Sequence, residues 1–316
     1  MPPVIGTTII EPVIRILLGA IDAGDGGTAE QRSVLAAVVA GYWERPDLDL
    51  ESLSAIGPDA VATLGLDDAQ RRRVREFIVM LELCRHPLTD QQVMLVETYA
   101  QRLGESGPGL EVARDLVREG TARALADLQR FKTNARPHWS EPSLVERFSM
   151  VPAEPDLELT ARLRALHDLP EGTLGWEYVE FYRRYGFALP GEDPKMEAFF
   201  VGHDMNHVIA GYGTTGQGET ALSAMLLGMD DSDDHWVLFL TSLSAYELGL
   251  PPSPDFEGKV GVLAREGAAD MLAEALRRGS QCTGDFSVID HLELAHLPLD
   301  EVRARFGVPP LVGANS

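Results

Sequence analysis

Four residues in the span 202–219, GHDMNHVIAGYGTTGQGE, have the chemistry of a metal site: His203, Asp204, His207 and Glu219. His203 and His207 are four apart, which places both imidazoles on one face of a helix, one turn apart. Asp204 flanks that face. Neutral imidazole and carboxylate are ligands for zinc or another first-row divalent cation, and the zinc reading comes first. An all-nitrogen-and-oxygen set does not choose between zinc, manganese, iron and cobalt. Asp204 fits equally well as an outer partner that orients a histidine. The competing reading is a pair of core histidines satisfied by hydrogen bonds. Burying several ionisable groups together is costly, however, unless they pair or bind a cation.

These side chains need elements to hold them. Asp193 and Pro194 predict the cap and first turn of the helix that carries the histidines. Met196, Phe199, Phe200, His203 and His207 then continue one inward stripe. Gly211, Gly213, Gly216 and Gly218 predict a tight turn into a following helix. Glu219 would open that helix and fold back toward the imidazoles. The glycine run does not match a phosphate-binding loop, and no lysine stands nearby. Upstream, Asp156 predicts a helix to His167, and Thr173 caps another with Trp176, Tyr178, Val179, Phe181, Tyr182 and Tyr185. Such an aromatic stripe is ordinarily core. It is also compatible with one wall of an apolar substrate pocket, for which the candidates are Tyr178, Phe181, Tyr182, Phe199 and Phe200.

The rest of the chain reads as helical. A short apolar helix over 13–21 docks on the body, with a membrane-contacting arm as the alternative. Thr28 caps a helix through Glu44, with Glu30 near the capping-box position. Further helices are predicted at 58–64, 68–84, 89–103 and 111–131, and no strand-like alternation appears. Prolines 137, 142, 152 and 155 make 132–155 a linker with one helical turn near 143–148. His138 there reads as a solvated loop residue. The expectation is an all-α protein: an arm (1–26), a helical domain (27–131), the linker, and a second helical domain (156–316).

With 316 residues and 45% apolar content, the chain can bury a substantial core. A formal net charge of −22 repels phosphate backbones, so nucleic acid is excluded as a partner, and anionic membrane is disfavoured away from any local basic patch. The two cysteines, Cys84 and Cys282, have neither zinc-site nor disulfide spacing, which fits a reducing cytoplasm. Cys84 reads as inert core. The N-terminus lacks a basic start and is broken by Glu11, Pro12 and Arg15, so it is neither a secretory signal nor a span. Other candidates weigh less. The acidic run 229–235, MDDSDDH, lacks calcium-loop order and reads as a solvated turn. His291 and His296 are five apart and splay on a helix, which suggests structural or surface roles. His86 reads as a turn residue. An H-D pair also occurs in HD phosphohydrolases, but their further His and Asp positions have no counterpart here.

Two resemblances add to this. The run LPEGTLGWEYVEFYRRYGF, followed by H-D-x-x-H, eleven residues and E, resembles the coenzyme Q biosynthesis protein four family, as does the ending HLELAHLPLDEVRARFGV. The likeness covers roughly residues 155–310. It implies an all-helical fold and a divalent metal held by His203, Asp204, His207 and Glu219. It also implies an apolar site for a polyprenyl tail, a tendency toward homodimers, and a role in ubiquinone synthesis. Oxidative decarboxylation at ring carbon one of a prenylated hydroxybenzoate is the implied chemistry, with a scaffold for other quinone-biosynthesis proteins as the alternative. The segment EFIVMLELCRHPLTDQQVMLVETYAQRLGES resembles the TerB-like tellurite-resistance family over roughly 28–125, where an acidic turn is proposed to bind metal. Here that turn, 85–90, retains little acid. A stress-related metal-binding protein is the third reading. The expected location is cytoplasmic, with peripheral membrane contact as a possibility for handling a prenyl lipid.

Overall fold

A computed structural model describes residues 3–104, 111–135, 141–147, 154–194, 196–250 and 258–311. The chain is all α-helical. Its first part forms α1 (Ile10–Ile21), α2 (Ala29–Gly41), α3 (Pro58–Val61), α4 (Asp68–Leu83), α5 (Asp90–Leu103), α6 (Val112–Arg118) and α7 (Thr121–Ala135). Then come α8 (Leu157–Arg164), α9 (Leu174–Tyr185), α10 (Phe199–Ala210), α11 (Gly216–Met229), α12 (Asp233–Tyr246), α13 (Ala268–Gln281), α14 (His291–Leu294) and α15 (Leu299–Arg305). Extended pairing among the described residues is limited to isolated bridges such as Thr173 with Pro298.

Local chemistry sets many of these boundaries. Thr28 caps α2, accepting from the Gln31 N–H at 3.1 Å while the Gln31 side-chain oxygen accepts from the Thr28 N–H at 3.0 Å. The capping-box partner is therefore Gln31, and Glu30 is left free to turn elsewhere. The helix ends at Gly41, short of the expected Glu44, whose φ is 51°. The helix predicted over 111–131 is two. At Gly120 the chain turns left-handed, φ 93°, and the N–H groups of Glu119 and Gly120 both donate to the Asp115 carbonyl. α1 starts three residues before the predicted 13–21 and buries Val13, Ile14, Ile16 and Leu17. No described helix is long and apolar enough to cross a membrane. Of the proline-rich stretch, residues 142–147 form a 3₁₀ turn. His138, Trp139 and Phe148 lie outside the described residues.

α13 is the central contact of the fold. It packs along α11 on one side and α2 on the other. Glycines permit the closeness: a Cβ on Gly228 would strike the Leu276 carbonyl, and one on Gly279 the Met225 carbonyl. Gly41 of α2 meets the Ala273 carbonyl in the same way. α4 packs on α12, where the Phe77 and Trp236 rings meet edge to face with centroids 4.7 Å apart. Here the acidic run departs from expectation. Asp231 is buried, with its Oδ1 2.7 Å from Arg73 Nε and accepting from Trp236 Nε1 at 2.9 Å. Its Oδ2 accepts from the Val4 N–H at 2.7 Å. Asp231 is therefore an internal joint within this run and not part of a solvated turn, because Arg73 offers it a fixed charge inside the protein, while Asp233 stays exposed. Residues from Ile5 to Val302 share one hydrophobic core. Cys84 is part of it, and burial pushes its thiol well above the ordinary range.

Candidate metal centre

α10 carries His203 and His207, and its start differs from the sequence expectation. The helix begins at Phe199, with Ala198 before it in helical conformation and no side-chain cap. Asp193 sits in the preceding turn, where its carbonyl accepts from the Met196 N–H. Met196 is thus off the helix and packs on the core from the turn. The other end is firmly held. Gly211 closes the helix in the left-handed conformation, φ 85°. Two arginines from distant segments donate to its last carbonyls: Arg303 to Val208 and Ile209, and Arg278 to Ala210. Cations at a helix C-terminus satisfy the orphan carbonyls and the helix dipole together.

The turn after α10 returns the chain at once. Thr215 caps α11, its side chain accepting from the Gly218 N–H. Position 218 admits only glycine, since a Cβ there would strike the Gly213 carbonyl. Glu219 therefore enters in the first turn of α11 and reaches the imidazoles. His203 Nε2 and His207 Nε2 are 3.3 Å apart, and each is 3.3 Å from Glu219 Oε2. The three donor atoms form a triangle with equal edges. Tetrahedral bonds of about 2.0–2.1 Å put neighbouring ligand atoms about 3.3–3.4 Å apart, so the residues present fit such an ion.

Orientation of the rings is set from outside the triangle. His207 Nδ1 lies 3.1 Å from the Tyr212 carbonyl, which can only accept, so Nδ1 bears a proton and Nε2 is turned toward Glu219. Phe181 stacks on His207 and Phe199 on His203. Phe200 meets His203 edge on. Asp204 Oδ1 is 3.9 Å from His203 Nε2, and the ligand atoms of His203, Asp204 and His207 all lie within 4.8 Å of one another. The other Asp204 oxygen accepts from the Tyr182 hydroxyl.

The electrostatics separate the two carboxylates. Burial would raise Glu219, but the charge of His207 and hydrogen bonds from both imidazoles outweigh it and hold the carboxyl far below its ordinary range. For His207, burial works against the proton, while Glu219 more than compensates and raises it. Burial dominates at Asp204, which is raised, with His203 and His207 opposing. Tyr182 and Tyr178 are pushed well above the phenol range by burial and then by Asp204, so both keep their hydroxyl protons.

A small pocket opens beside His203, lined by Phe199, His203, Asn206, Leu226, His235, Leu238 and Ser287. Of the five aromatic residues singled out from the sequence, Phe199 lies on this wall. Tyr178 and Tyr182 are buried core, and Phe181 and Phe200 contact the imidazoles. Several neighbours were not legible. Asn206 Oδ1 is 3.0 Å from His291 Nε2, and His291 Nδ1 is 2.8 Å from the buried Glu141. His235 Nε2 is 2.9 Å from Ser287 Oγ across the pocket wall. His291 is buried at the start of α14, and His296, in the turn beyond that helix, is exposed. The one available signal for His291 was its place in the ending HLELAHLPLD, whose backbone also serves α9. Leu174 N–H and Gly175 N–H donate to the carbonyls of Leu297 and Ala295. Thr173 precedes that helix but spends its hydroxyl on the Pro170 carbonyl.

No protein-family model and no curated protein matches the chain. Among solved structures, a protein from Nostoc punctiforme, provisionally named a ubiquinone biosynthesis protein, is similar at 18% identity with a TM-score of 0.34. The likeness covers 75% of this chain and 99% of that one.

Proposed function

We propose that His203, His207 and Glu219 hold one divalent cation, zinc before manganese, iron or cobalt, and that the protein serves prenyl-quinone synthesis. The reaction we assign is replacement of the ring carboxyl of a prenylated hydroxybenzoate by hydroxyl. Carbon dioxide leaves ring carbon one and one atom of dioxygen enters. The second oxygen atom goes to water with two electrons and two protons from an external reductant. The observation that carries the reading is the equal 3.3 Å triangle of donor atoms packed against aromatic rings. The order of motifs in the sequence supplies the substrate class.

A bound cation would supply a fixed positive charge for the substrate carboxylate and an adjacent ring oxygen. The protein residues do the rest. Glu219 stays ionised beside both histidines. Tyr212 fixes the His207 tautomer through Nδ1. Asp204 takes the Tyr182 hydroxyl on one oxygen and brings the other to 3.9 Å from His203 Nε2. Phe199 on the pocket wall stacks on His203.

Elemental analysis of the purified chain, paired with turnover of a prenylated hydroxybenzoate under dioxygen and reductant, tests the reading. Stoichiometric cation and carbon dioxide release, both lost in His207→Ala, are expected. A metal-free chain with full turnover overturns it. Cation without turnover, alongside co-purified prenyl lipid, would favour the scaffold reading instead.

A further inference from the structure

A second group of ligand-type side chains stands where three remote segments meet. Glu30 comes from the first turn of α2, His86 from the turn after α4, and Glu247 from the residue that follows α12. His86 Nε2 is 3.2 Å from Glu247 Oε2 and 3.9 Å from Glu30 Oε2. One ligand atom from each of the three lies within 4.8 Å of the others. The side chain of Glu247 is wholly buried and that of Glu30 is 8% exposed, with His86 at 25%.

Two carboxylates at this depth need compensation, and the protein supplies little. Glu247 Oε1 accepts from the Leu263 N–H at 2.8 Å. Glu30 takes the Ala264 N–H and a hydrogen bond shared with Glu247, while its buried Oε1 has no partner in strict hydrogen-bond geometry. Among the described residues no arginine or lysine pairs with either carboxylate; His86 is the basic group between them. Burial, and then Glu247, push the Glu30 carboxyl up to about 9. The same two carboxylates help raise the buried Cys84 thiol. An unpartnered buried oxygen, a second carboxylate and an imidazole facing one point are what a cation would complete.

We propose that Glu30, His86 and Glu247 form a second divalent-cation site, taking manganese(II) or zinc(II). Two carboxylates and one neutral imidazole neutralise a doubly charged ion, so the loaded site is electroneutral and suited to burial. Carboxylate suits manganese and imidazole suits zinc, while both accept mixed sets. The ion would clasp α2 and the turn after α4 to the end of α12. This site is independent of the reaction assigned to the first cluster.

The test uses the full chain, stripped with chelator and titrated with manganese(II) chloride or zinc chloride alone. The His203→Ala/His207→Ala double variant should still take up one equivalent and melt a few degrees higher with the cation than without. Adding His86→Ala should abolish both effects. In the otherwise unchanged chain, His86→Ala should lower bound cation from two equivalents to one, so the result does not depend on the double variant folding. If the first cluster holds no ion, the unchanged chain binds one equivalent and loses it in His86→Ala but not in His207→Ala. Uptake indifferent to His86→Ala, or no uptake by a folded double variant, overturns the proposal. The carboxyl pair would then share a proton instead.

Discussion

The protein brings imidazole and carboxylate together at two places, in opposite proportions. The cluster on α10 and α11 has two histidines and one close glutamate. The cluster at the end of α12 has two glutamates and one histidine. In the first, the imidazoles keep Glu219 ionised far below its ordinary range. In the second, Glu30 is pushed up to about 9 because its neighbour is another carboxylate. A divalent ion on the first cluster would leave about one positive charge facing the pocket. The same ion on the second would leave none. Proportion, more than ligand type, would then separate a centre that attracts an anionic substrate from one that fastens helices.

His207→Ala is the largest expected break in that contrast. It removes a donor fixed through Tyr212 and leaves Glu219 beside one imidazole. Cation affinity at the first cluster should fall by about a thousandfold or more, beyond the 10–100-fold typical of losing an outer partner. Uptake at Glu30, His86 and Glu247 should be unchanged, as read by elemental analysis. Asp204→Asn sharpens the same comparison with a smaller effect. Asp204 already gives one oxygen to Tyr182. The variant should lower first-cluster affinity about 10–100-fold without abolishing binding. Complete loss in a calorimetric titration would make Asp204 a direct ligand.

The two clusters also differ in how visible they are in sequence. His203, His207 and Glu219 sit within one helix–turn–helix, so spacing and glycine pattern sufficed to group them. Glu30, His86 and Glu247 come from three distant segments, and no periodicity relates them. Local signals located most of the helices, including the Thr28 cap. They failed at some helix starts and where a tertiary partner decided the outcome. Asp193 and Pro194 have the chemistry of a helix start, yet α10 begins at Phe199. Glu30 looked like the capping-box residue, but Gln31 takes that bond. Asp231 belongs to a strongly acidic run and is nevertheless buried, because Arg73 lies beside it. The arginines that close α10 are 94 and 68 residues away from the carbonyls of Ile209 and Ala210.

Those arginines give the next test. Arg303→Ala removes charged donors from two carbonyls at the end of the histidine helix and should cost about 2 kcal/mol in denaturant unfolding. The first cluster should loosen, with weaker cation uptake, while the second is unaffected. Equal weakening at both would mean that the variant acts through global stability alone.

The smallest effect on cation uptake belongs to a control for the carboxylates. Glu82 on α4 is buried and belongs to neither cluster. Burial, and then the charge of Glu97, push its carboxyl to about 8 from an ordinary 4.5. The folded chain therefore keeps a proton that the unfolded chain releases between pH 4.5 and about 8. This contribution is fully present below 4.5 and is lost as pH rises through that window. The slope is at most about 1.4 kcal/mol per pH unit. Glu82→Gln should flatten the pH dependence of the metal-free chain by that amount and leave cation uptake unchanged. Glu30→Gln should also flatten it but weaken uptake at the second cluster. If both variants behave alike toward added manganese(II), the Glu30 carboxyl is another lone buried acid, and the contrast between the two clusters is one of protonation only.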